Sequence, residues 1–583
     1  MPPRLSKPPA AEALNRATPI RSAVTDLPWH AHWPKGVPKH LDYPSIPVQD
    51  LLARAAKGHP QTVATRFYGA KLPYAELDRR ADALAASLVR LGVKRGDRVG
   101  LLLPNCPQFP IAFFASLRAG AIAVQTNPLY TKREIAQQYN DAGVETVIAA
   151  DIFLKNLLAA KPKTAVERVV VTDIKEYLPF PLSALYPIKK KRDYGKIVVP
   201  EETWIHRLPS LLAEGASPTK PAVNAGQDVA VLQYTGGTTG TPKGAMLTHR
   251  NLVANALQTA AWLPDAKPGK EVFLSVIPFF HVYGLTTALL APVRLAATMV
   301  IHANPREIPA ILKLAHKTRP TIFPGVPTMY VAIINRPDVR KYDLRSIKAC
   351  ISGSAPLAPE VRKKFEQLTG GKLVEGYGLT EASPVTHANP LYGLIKDAIG
   401  IPFPDTEARI VDAETGAKVL GVGEVGELTL RGPQVMKGYW GKREETAAVL
   451  RDGWLRTGDI ARMDEDGYFF IVERKKDVII CSGYNVYPRE VEEVLFEHPA
   501  VQEATVIGIP DPYRGESVKA FLVLKAGRKV TADEVRAFCK DRLAPFKVPR
   551  EVEFRKELPK TIVGKVLRRA LREAPPSGSP SPK

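Results

Sequence analysis

Residues 234–244 read Tyr-Thr-Gly-Gly-Thr-Thr-Gly-Thr-Pro-Lys-Gly and follow an apolar, strand-like run at 229–232. Glycines let backbone N–H groups come close to a ligand, and threonine hydroxyls add hydrogen-bond donors. Lys243 adds a compact positive charge at the end of the stretch. The spacing differs from a Walker A loop, which requires Gly-Lys-Ser/Thr in direct sequence. Together these groups favour a polyphosphate-binding loop over a flexible surface turn.

Helical and strand-like patterns alternate on both sides of this loop. Residues 74–91 carry an apolar stripe at helical spacing, and residues 97–103 follow as a buried strand. Further strand-like runs at 272–277, 298–301 and 347–351 are separated by helical segments. This order predicts parallel sheets with helical crossovers.

The pattern of predicted strands, turns and helices changes in the last third of the chain. Residues 398–472 contain short strands and Gly/Asp turns, which suit a small barrel-like subdomain. After Asp477, a helix that begins at Pro488, strands at 504–509 and 518–524, and a helix from Thr531 form a compact pattern. The predicted fold class is therefore α/β. A large N-terminal domain of two α/β subdomains with parallel-rich sheets carries the barrel-like subdomain, and a small, mobile C-terminal α+β domain follows.

Composition narrows the class of protein. The chain has 583 residues, of which 45% are hydrophobic and 24% charged, as in globular proteins of more than one domain. Its four cysteines lie far apart, which argues against a zinc site or a disulfide framework and fits a reducing cytosol. The N-terminus lacks the apolar core of a secretory signal, so no signal peptide is predicted. The apolar stretch 285–301 is interrupted by Pro292 and Arg294, so it is predicted to be buried helix and strand and not a membrane span.

The formal net charge of +22 suits a polyanionic partner such as a nucleotide, an anionic membrane surface or nucleic acid. Nucleic acid is discounted, because no nucleic-acid motif is visible and the basic residues are spread along the chain. A cytoplasmic location is predicted.

Several stretches together resemble the signatures of the adenylate-forming superfamily, which contains acyl-CoA synthetases, luciferases and peptide-synthetase adenylation domains. Besides 234–244, the matching stretches appear in the order of that family across nearly the whole chain. They are 353–356 (Gly-Ser-Ala-Pro), 375–381 (Glu-Gly-Tyr-Gly-Leu-Thr-Glu), 454–459 (Trp-Leu-Arg-Thr-Gly-Asp), 473–477 (Glu-Arg-Lys-Lys-Asp), 482–488 (Ser-Gly-Tyr-Asn-Val-Tyr-Pro) and 558–565 (Leu-Pro-Lys-Thr-Ile-Val-Gly-Lys).

Within the superfamily the chain is most similar to bacterial long-chain fatty acid–CoA ligases, through residues 103–109, 127–131 and 432–440. The resemblance implies two steps. A fatty acid carboxylate attacks the α-phosphate of ATP to give acyl-adenylate and pyrophosphate, and the thiol of coenzyme A then displaces AMP. It also implies Mg²⁺, which bridges phosphate oxygens in such chemistry.

The resemblance assigns site residues position by position. The implied pyrophosphate clamp consists of Thr235, Gly237, Thr238, Gly240 and Lys243. The implied adenine wall consists of Gly353, Ser354 and Ala355, with Tyr377 stacking on the base between Gly376 and Gly378. Thr380 matches a phosphate-facing hydroxyl, Glu381 the magnesium carboxylate, and Asp459 and Arg474 the ribose contacts.

Lys565 matches the lysine that the family uses for adenylation. Lys476 matches a hinge position, so that the small domain first presents Lys565 and then, after rotation, Ser482, Gly483 and Tyr484 to the pantetheine arm. In the segment 278–284, Phe280 and His281 match residues that gate substrate entry, and His281 receives no acid–base role. The residues expected to take part in the chemistry are Lys565, Glu381, Thr235 and His281.

The predicted domains are an extended N-terminal arm (1–40), an AMP-binding domain (41–475), a mobile C-terminal domain (476–573) and a disordered tail (574–583). The segment 177–192 stands out because three prolines and apolar side chains precede the basic run Lys-Lys-Lys-Arg at 189–192. It is either a solvated basic loop or a contact with the inner face of the cytoplasmic membrane. A homodimer is left open as well.

Three other readings of function stay open. The acid could be medium-chain, dicarboxylic or aryl instead of long-chain. The acceptor could be a carrier protein, although residues 482–484 and the absence of an attached carrier domain favour coenzyme A. The chain could also be an inactive lipid-binding or uptake protein, although Glu381, Asp459 and Lys565 are all present. Glu473 and Val563 depart from the pattern of many relatives, and neither side chain is assigned any chemistry.

Overall fold

The structure is a computed structural model, and it describes residues 27–215, 221–235, 242–481, 484–511, 514–561 and 566–572. The α-helices of these residues, in chain order, are α1 Gln49–Gly58, α2 Tyr74–Arg90, α3 Gln108–Arg118, α4 Lys132–Ala142, α5 Leu154–Ala160, α6 Leu182–Tyr194, α7 Leu208–Ala213, α8 His249–Ala261, α9 Val282–Gly284, α10 Ala291–Arg294, α11 Ile308–Thr318, α12 Pro327–Ile334, α13 Pro359–Thr369, α14 Arg443–Val449, α15 Pro488–Glu497, α16 Ala532–Lys540 and α17 Arg568–Arg572.

The strands of the same residues are β1 Val63–Phe67, β2 Ala70–Pro73, β3 Arg98–Leu102, β4 Ile122–Gln125, β5 Val144–Ala150, β6 Arg168–Thr172, β7 Ile205–Arg207, β8 Val229–Thr235, β9 Lys243–Thr248, β10 Val272–Ser275, β11 Thr298–Ile301, β12 Ala349–Ser352, β13 Lys372–Gly378, β14 Val385–Ala388, β15 Ile401–Pro402, β16 Glu407–Val411, β17 Gly426–Arg431, β18 Gly438–Tyr439, β19 Leu450–Arg451, β20 Trp454–Met463, β21 Phe469–Arg474, β22 Ile479–Cys481, β23 Tyr484–Val486, β24 Val501–Asp511, β25 Gly515–Leu524 and β26 Glu551–Phe554.

The largest sheet has the order β18-β9-β8-β4-β3-β5-β6-β7. Its strands from β8 to β7 pair in parallel, while β9 and β18 add an antiparallel edge. The central strands are apolar and almost fully buried, as expected when helices cover both faces of a parallel sheet. Helix α3 is buried along its whole length and brings Phe109, Phe113 and Phe114 into this core.

Two shorter sheets, β10-β11-β1-β2 and β12-β13-β14-β15, form the second α/β part of the large lobe. Isolated bridges at Ile322 join them, because this residue pairs with both Phe273 and Ala349. The pairs β10/β11, β1/β11 and β12/β13 are parallel. The predicted α/β class with parallel-rich sheets is therefore confirmed.

Strands β16, β17, β19, β20 and β21 form an antiparallel sheet within the region predicted to be barrel-like. The C-terminal strands β22 to β26 make a separate sheet, on which α15 and α16 pack. That small lobe has a core of its own, formed by side chains such as Val491, Leu495, Val506 and Val535.

Two local features differ from the sequence expectations. Residues Pro28–His32 of the N-terminal arm form a 3-10 helix instead of extended chain, because Trp29 is buried against Phe469. The basic segment after Tyr177 forms helix α6 although Pro187 lies inside it, and none of the residues of α6 is buried. Among the described residues, no helix combines the length and the apolar character that crossing a bilayer requires.

Candidate active site

The glycine- and threonine-rich stretch lies between the paired strands β8 and β9. Thr235 and Lys243 are register partners, so the two ends of the intervening segment are held side by side. Tyr234 donates from its hydroxyl to Asp141 Oδ2 at 2.6 Å, which ties β8 to helix α4. Gly237, Thr238 and Gly240 lie outside the described residues, so the clamp is described only at its two ends.

Lys243, Tyr439 and Glu381 lie next to one another at the end of this sheet. The ammonium of Lys243 lies 5.4 Å from the centre of the Tyr439 ring, and the Tyr439 hydroxyl donates to Glu381 Oε1 at 2.7 Å. Burial, reinforced by the charge of Glu381, raises the pKa of Tyr439 well above its usual range. Tyr439 is therefore a neutral donor that orients the carboxylate proposed to hold a cation.

A second cluster joins strand β13 to the antiparallel sheet. Asp459 is only 3% exposed. Its Oδ2 accepts from the Tyr377 hydroxyl at 2.5 Å, and its Oδ1 lies 3.0 Å from Nε of Arg474. Asp459 raises the pKa of Arg474 by charge attraction, and burial raises that of Tyr377. The cluster thus consists of a carboxylate, a fixed cation and a neutral phenol.

The glycine-containing loop after β12 runs beside the same strand. A Cβ atom at Gly353 would lie 3.0 Å from the ring of Tyr283, so any larger residue would require this ring to shift by a few tenths of an ångström. Ser354 has a φ of +71° and its side chain is exposed, while Ala355 is half-buried. Farther along the loop, the backbone N–H of Leu357 donates to Glu375 Oε2 at 3.0 Å. Glu375 therefore fixes the loop from strand β13.

The end of β13 presents the remaining residues of its motif. Gly376 is buried, whereas Gly378 is exposed and lies so close to Pro384 that a Cβ atom would be 2.1 Å from its carbonyl oxygen. Thr380 and Glu381 follow in the 3-10 helix Thr380–Ala382, where both side chains are partly exposed. The backbone therefore turns sharply here and leaves these two side chains open to a ligand.

The aromatic segment before α9 is held in place from two sides. Asn105 Oδ1 accepts from the backbone N–H of Phe279 at 2.8 Å, and Gln233 of β8 donates to the carbonyl of Phe280 at 3.0 Å. His281 caps α9, because its Nδ1 accepts from the backbone N–H of Tyr283 at 3.3 Å. Phe280 is buried and His281 is partly exposed. The predicted gate segment is thus attached to the strand that precedes the phosphate loop.

The side chains present fit ATP and Mg²⁺. A carboxylate offers about four lone-pair positions, so Asp459 keeps acceptor capacity for two vicinal hydroxyls beyond its two bonds. Mg²⁺ in nucleotide sites is usually held by one or two carboxylates together with substrate phosphates. Glu381 would supply one such carboxylate, and Lys243, on the other side of the Tyr439 ring, would add positive charge near it.

The structure brings some of the predicted residues into direct contact and leaves others apart. Tyr377 and Arg474 both contact Asp459, and Tyr439 connects Lys243 with Glu381. Lys476 lies in the 3-10 turn Lys475–Asp477 directly after β21 and is exposed. The backbone of Tyr484 begins β23, whereas Ser482, Gly483 and Lys565 lie outside the described residues.

Three residues of this region were given no role by the sequence analysis: Asn105, Glu375 and Tyr439. Each lies inside a stretch that carried the family resemblance. Their roles depend on partners 174, 18 and 58 positions away along the chain, which no local pattern encodes. Only their positions within the matching stretches could have drawn attention to them.

Comparison with known proteins shows the family to which the chain belongs. Residues 52–440 match the family model described as AMP-binding enzyme, and residues 490–565 match the AMP-binding enzyme C-terminal domain. The chain belongs to the AMP-binding enzyme family. It is 50% identical over 555 residues to a protein of Bacillus subtilis (strain 168) named long-chain-fatty-acid–CoA ligase, covering 94% of this chain and 98% of that protein.

Solved structures of related proteins have a similar overall fold. The anthranilate CoA ligase AuaEII in complex with anthranoyl-AMP superimposes with a TM-score of 0.79 at 27% identity, over 91% of this chain and 97% of that one. ATP-bound MatB from Rhodopseudomonas palustris gives a TM-score of 0.78 at 30% identity, over 91% and 99%. The apo form of MatB gives 0.68 at 31% identity over the same shares, so the overall arrangement is more similar to the ATP-bound form.

Proposed function

We propose that this chain activates a long-chain fatty acid with ATP, giving acyl-adenylate and pyrophosphate, and then transfers the acyl group to coenzyme A, releasing AMP. The main observation behind the proposal is the buried carboxylate of Asp459, which is bonded to both Tyr377 and Arg474. The 50% identity to a long-chain-fatty-acid–CoA ligase over nearly the whole chain supports the choice of acid and acceptor.

The first step joins two anions, so the site has to supply positive charge and donors where negative charge builds. Asp459 and Arg474 hold the ribose, the ring of Tyr377 and the loop at Gly353, Ser354 and Ala355 enclose the adenine, and Lys243 attracts the phosphates. A carboxylate oxygen of the acid then forms a bond to the α-phosphorus, and the bond to the leaving pyrophosphate breaks. Lys565 stabilises the charge of that transition state.

Glu381 would hold Mg²⁺, which would supply positive charge to offset the negative charge of the phosphates. In the second step the sulfur of coenzyme A bonds to the acyl carbon and the bond to AMP breaks. Ser482, Gly483 and Tyr484 line the path of the pantetheine arm. We place the change between the two steps at Lys476, in the turn that joins the two lobes.

The test is exchange of labelled pyrophosphate into ATP by the purified chain with Mg²⁺, using acids from acetate to oleate together with benzoate and malonate. We expect exchange with long-chain acids in the absence of coenzyme A, and sustained AMP release only when coenzyme A is added. Faster turnover of benzoate or malonate than of oleate would assign an aryl or dicarboxylic acid instead. Failure of every acid to support exchange would reject the proposal in favour of a binding protein.

Helix α6 supports a peripheral contact with an anionic membrane. Leu185 and Ile188 of this helix are 55% and 72% exposed, and Phe180, just before it, is 84% exposed. Apolar side chains next to basic ones bind anionic bilayers. Lys190 takes no part, because it is only 14% exposed and forms ion pairs with Asp151 and Asp173. The exposed basic side chains of the segment are therefore Lys189, Lys191 and Arg192, of which Arg192 also pairs with the neighbouring Asp193 at 2.9 Å.

Vesicle sedimentation at low salt tests this contact. Replacing Lys189, Lys191 and Arg192 by Gln should reduce binding to phosphatidylglycerol-containing vesicles severalfold. Replacing three exposed lysines of other helices, Lys313, Lys317 and Lys363, should leave it unchanged. Equal binding by both variants would contradict the membrane contact. The homodimer remains a separate prediction, which light scattering would test.

A further inference from the structure

A cluster of five charged side chains lies where the two lobes meet. The guanidinium of Arg568 contacts three carboxylates. Its Nη1 lies 2.8 Å from Glu473 Oε1 and 3.3 Å from Asp477 Oδ2, and its Nη2 lies 2.8 and 2.9 Å from the two oxygens of Glu492. Arg572 adds a contact of 3.3 Å to Asp477 Oδ1. We call these five residues the junction cluster.

The junction cluster is largely shielded from water. The exposed fraction of the side chain is 4% for Glu473, 10% for Asp477, 13% for Glu492 and 19% for Arg568. Although desolvation opposes it, the carboxylates of Glu492 and Glu473 hold the pKa of Arg568 above its ordinary value. Removing one partner of a buried ion pair leaves an uncompensated charge, so each member is expected to matter far more than a surface ion pair.

The members come from four different segments of the chain. Glu473 belongs to β21, which pairs with β20 in the large lobe. Asp477 ends the turn Lys475–Asp477, and Glu492 lies in α15 of the small lobe. Arg568 begins α17, three positions after Lys565. The guanidinium of Arg568 therefore connects the large lobe, the connecting turn and the small lobe. It lies in the segment that follows the proposed adenylation lysine.

Glu473 is the large-lobe anchor of this arrangement. Besides Arg568, its carboxylate accepts from the backbone N–H of Arg474 and from that of Arg489 in the first turn of α15, each at 2.8 Å. Glu473 thus holds both the start of α15 and the segment after Lys565 against strand β21. By contrast, the bond between Arg568 and Glu492 joins two segments of the small lobe and does not depend on the large lobe.

We propose that Arg568 and Glu473 are positioning residues that hold α17, the helix that follows Lys565 in the sequence, against the large lobe in the arrangement used for acyl-adenylate formation. The contacts from Glu473 to Arg568 and Arg489 break when the small lobe turns for thioester formation, whereas the contact between Arg568 and Glu492 moves with that lobe. This inference rests on the proposed two-step function. The greater similarity of the chain to ATP-bound than to apo MatB agrees with it.

The sharpest test is Glu473→Gln, which keeps the shape of the side chain and an oxygen for one backbone N–H but removes the charge. We expect pyrophosphate exchange at saturating ATP and fatty acid to fall about tenfold or more, since small misplacements of a catalytic group cost this much or more. Thioester formation from preformed acyl-adenylate should stay within about twofold of the unmodified protein. The KM for ATP should not change, because Arg474 and Asp459 keep their contact.

Arg568→Gln should have the same selectivity with a larger effect. The effect of the double variant should be smaller than the sum of the two single effects, because both changes remove the contact between Arg568 and Glu473. Arg555→Gln is the matched control. Arg555 is bonded to Glu553 within the small lobe at 2.8 Å, so both half-reactions should be unchanged.

An equal fall of both half-reactions in Glu473→Gln, or no fall in either, would overturn the inference. Should Arg568→Gln fail to fold, Glu473→Gln alone decides. Pyrophosphate exchange by the unmodified protein distinguishes failure of the proposed function from failure of this inference. If the unmodified protein shows no exchange, the proposed function is rejected. If it shows exchange and Glu473→Gln is unaffected, only the positioning role of the junction cluster is rejected.

Discussion

Glu473 and Arg474 are neighbours in strand β21, yet their side chains serve two different parts of the molecule. Arg474 contacts Asp459, its register partner on β20, so this contact lies within one sheet of the large lobe. Glu473 contacts Arg568 and the first turn of α15, both in the small lobe. Successive side chains of a strand point to opposite faces, which lets one dipeptide serve both.

We expect the contact of Arg474 to serve nucleotide binding and the contact of Glu473 to serve the movement of the small lobe. The proposed ribose contacts keep their geometry wherever the small lobe lies, because both partners belong to the same sheet. In the inference drawn above, the contacts from Glu473 to Arg568 and Arg489 form in only one arrangement of the lobes. Substitutions on the Arg474 side should therefore affect every step that uses the nucleotide, while substitutions on the Glu473 side should affect one step only.

The largest effect is expected for Lys565→Ala. Pyrophosphate exchange should fall by about a thousandfold, since removing a group that stabilises developing charge typically costs on the order of 100- to 1000-fold. Thioester formation from preformed acyl-adenylate should persist, because that step does not need charge between two anions. Measuring both half-reactions checks the division, and a parallel loss of both would contradict it.

Asp459→Asn should come next. The change leaves Arg474 without its carboxylate and halves the acceptor capacity offered to the ribose, which corresponds to a loss of about 100-fold in kcat/KM for ATP. Use of preformed acyl-adenylate should fall as well, because it carries the same ribose. Steady-state kinetics with Glu473→Gln in parallel sharpen the comparison. A normal KM for ATP in Asp459→Asn would place the ribose elsewhere.

A smaller and selective effect is expected for Lys476→Pro. The exposed Lys476 lies in the turn between Arg474 and Asp477, so a fixed φ there should favour one arrangement of the lobes. One half-reaction should slow by about tenfold while the other changes little. Single-turnover assays of the two steps decide this, and equal slowing of both would count against a hinge at this position.

The smallest effect on activity is expected for Glu375→Gln, which should instead change how stability depends on pH. Desolvation raises the pKa of Glu375 to about 7. Since the folded state then binds the proton more tightly than the unfolded state, protonation stabilises the fold fully below the unfolded pKa of about 4.5 and loses this effect as pH rises through 7.

At about 1.4 kcal/mol for each pKa unit, unfolding free energy should fall by roughly 3 kcal/mol more between pH 4.5 and 8 in the unmodified protein than in Glu375→Gln. Denaturant titrations at several pH values measure this slope. Glu366→Gln, which removes another carboxylate that accepts a backbone N–H, is the matched control. Identical slopes in all three proteins would show that folding does not raise the pKa of Glu375.

Patterns among residues that lie close together in the sequence were sufficient to predict most of the fold. The apolar stripe of residues 74–91 predicted α2 to within one residue, and the strand Thr298–Ile301 was predicted with its observed bounds. Helix α6 was missed because three prolines argue against a helix, although only Pro187 lies inside it. The other two come before its first residue, where they interrupt no helical hydrogen bond.

The candidate site was predicted as a set of positions but not as a set of contacts. Motifs indicated Tyr377, Asp459 and Arg474, yet the bond between Tyr377 and Asp459 joins residues 82 positions apart. The same holds for the junction cluster, where Glu473 looked like a tolerated departure and turned out to be bonded to Arg568. Periodicity reports on neighbours along the chain, whereas such contacts depend on how distant strands are brought together.

The phenol of Tyr439 stands between two opposite charges, the ammonium of Lys243 and the carboxylate of Glu381. Side chains so placed would otherwise tend to neutralise each other. By occupying Glu381 with an uncharged donor and offering Lys243 only the face of a ring, Tyr439 leaves each charge uncancelled. A tyrosine that touches no reacting atom would thereby preserve one attraction for anions and another for cations within the same small space.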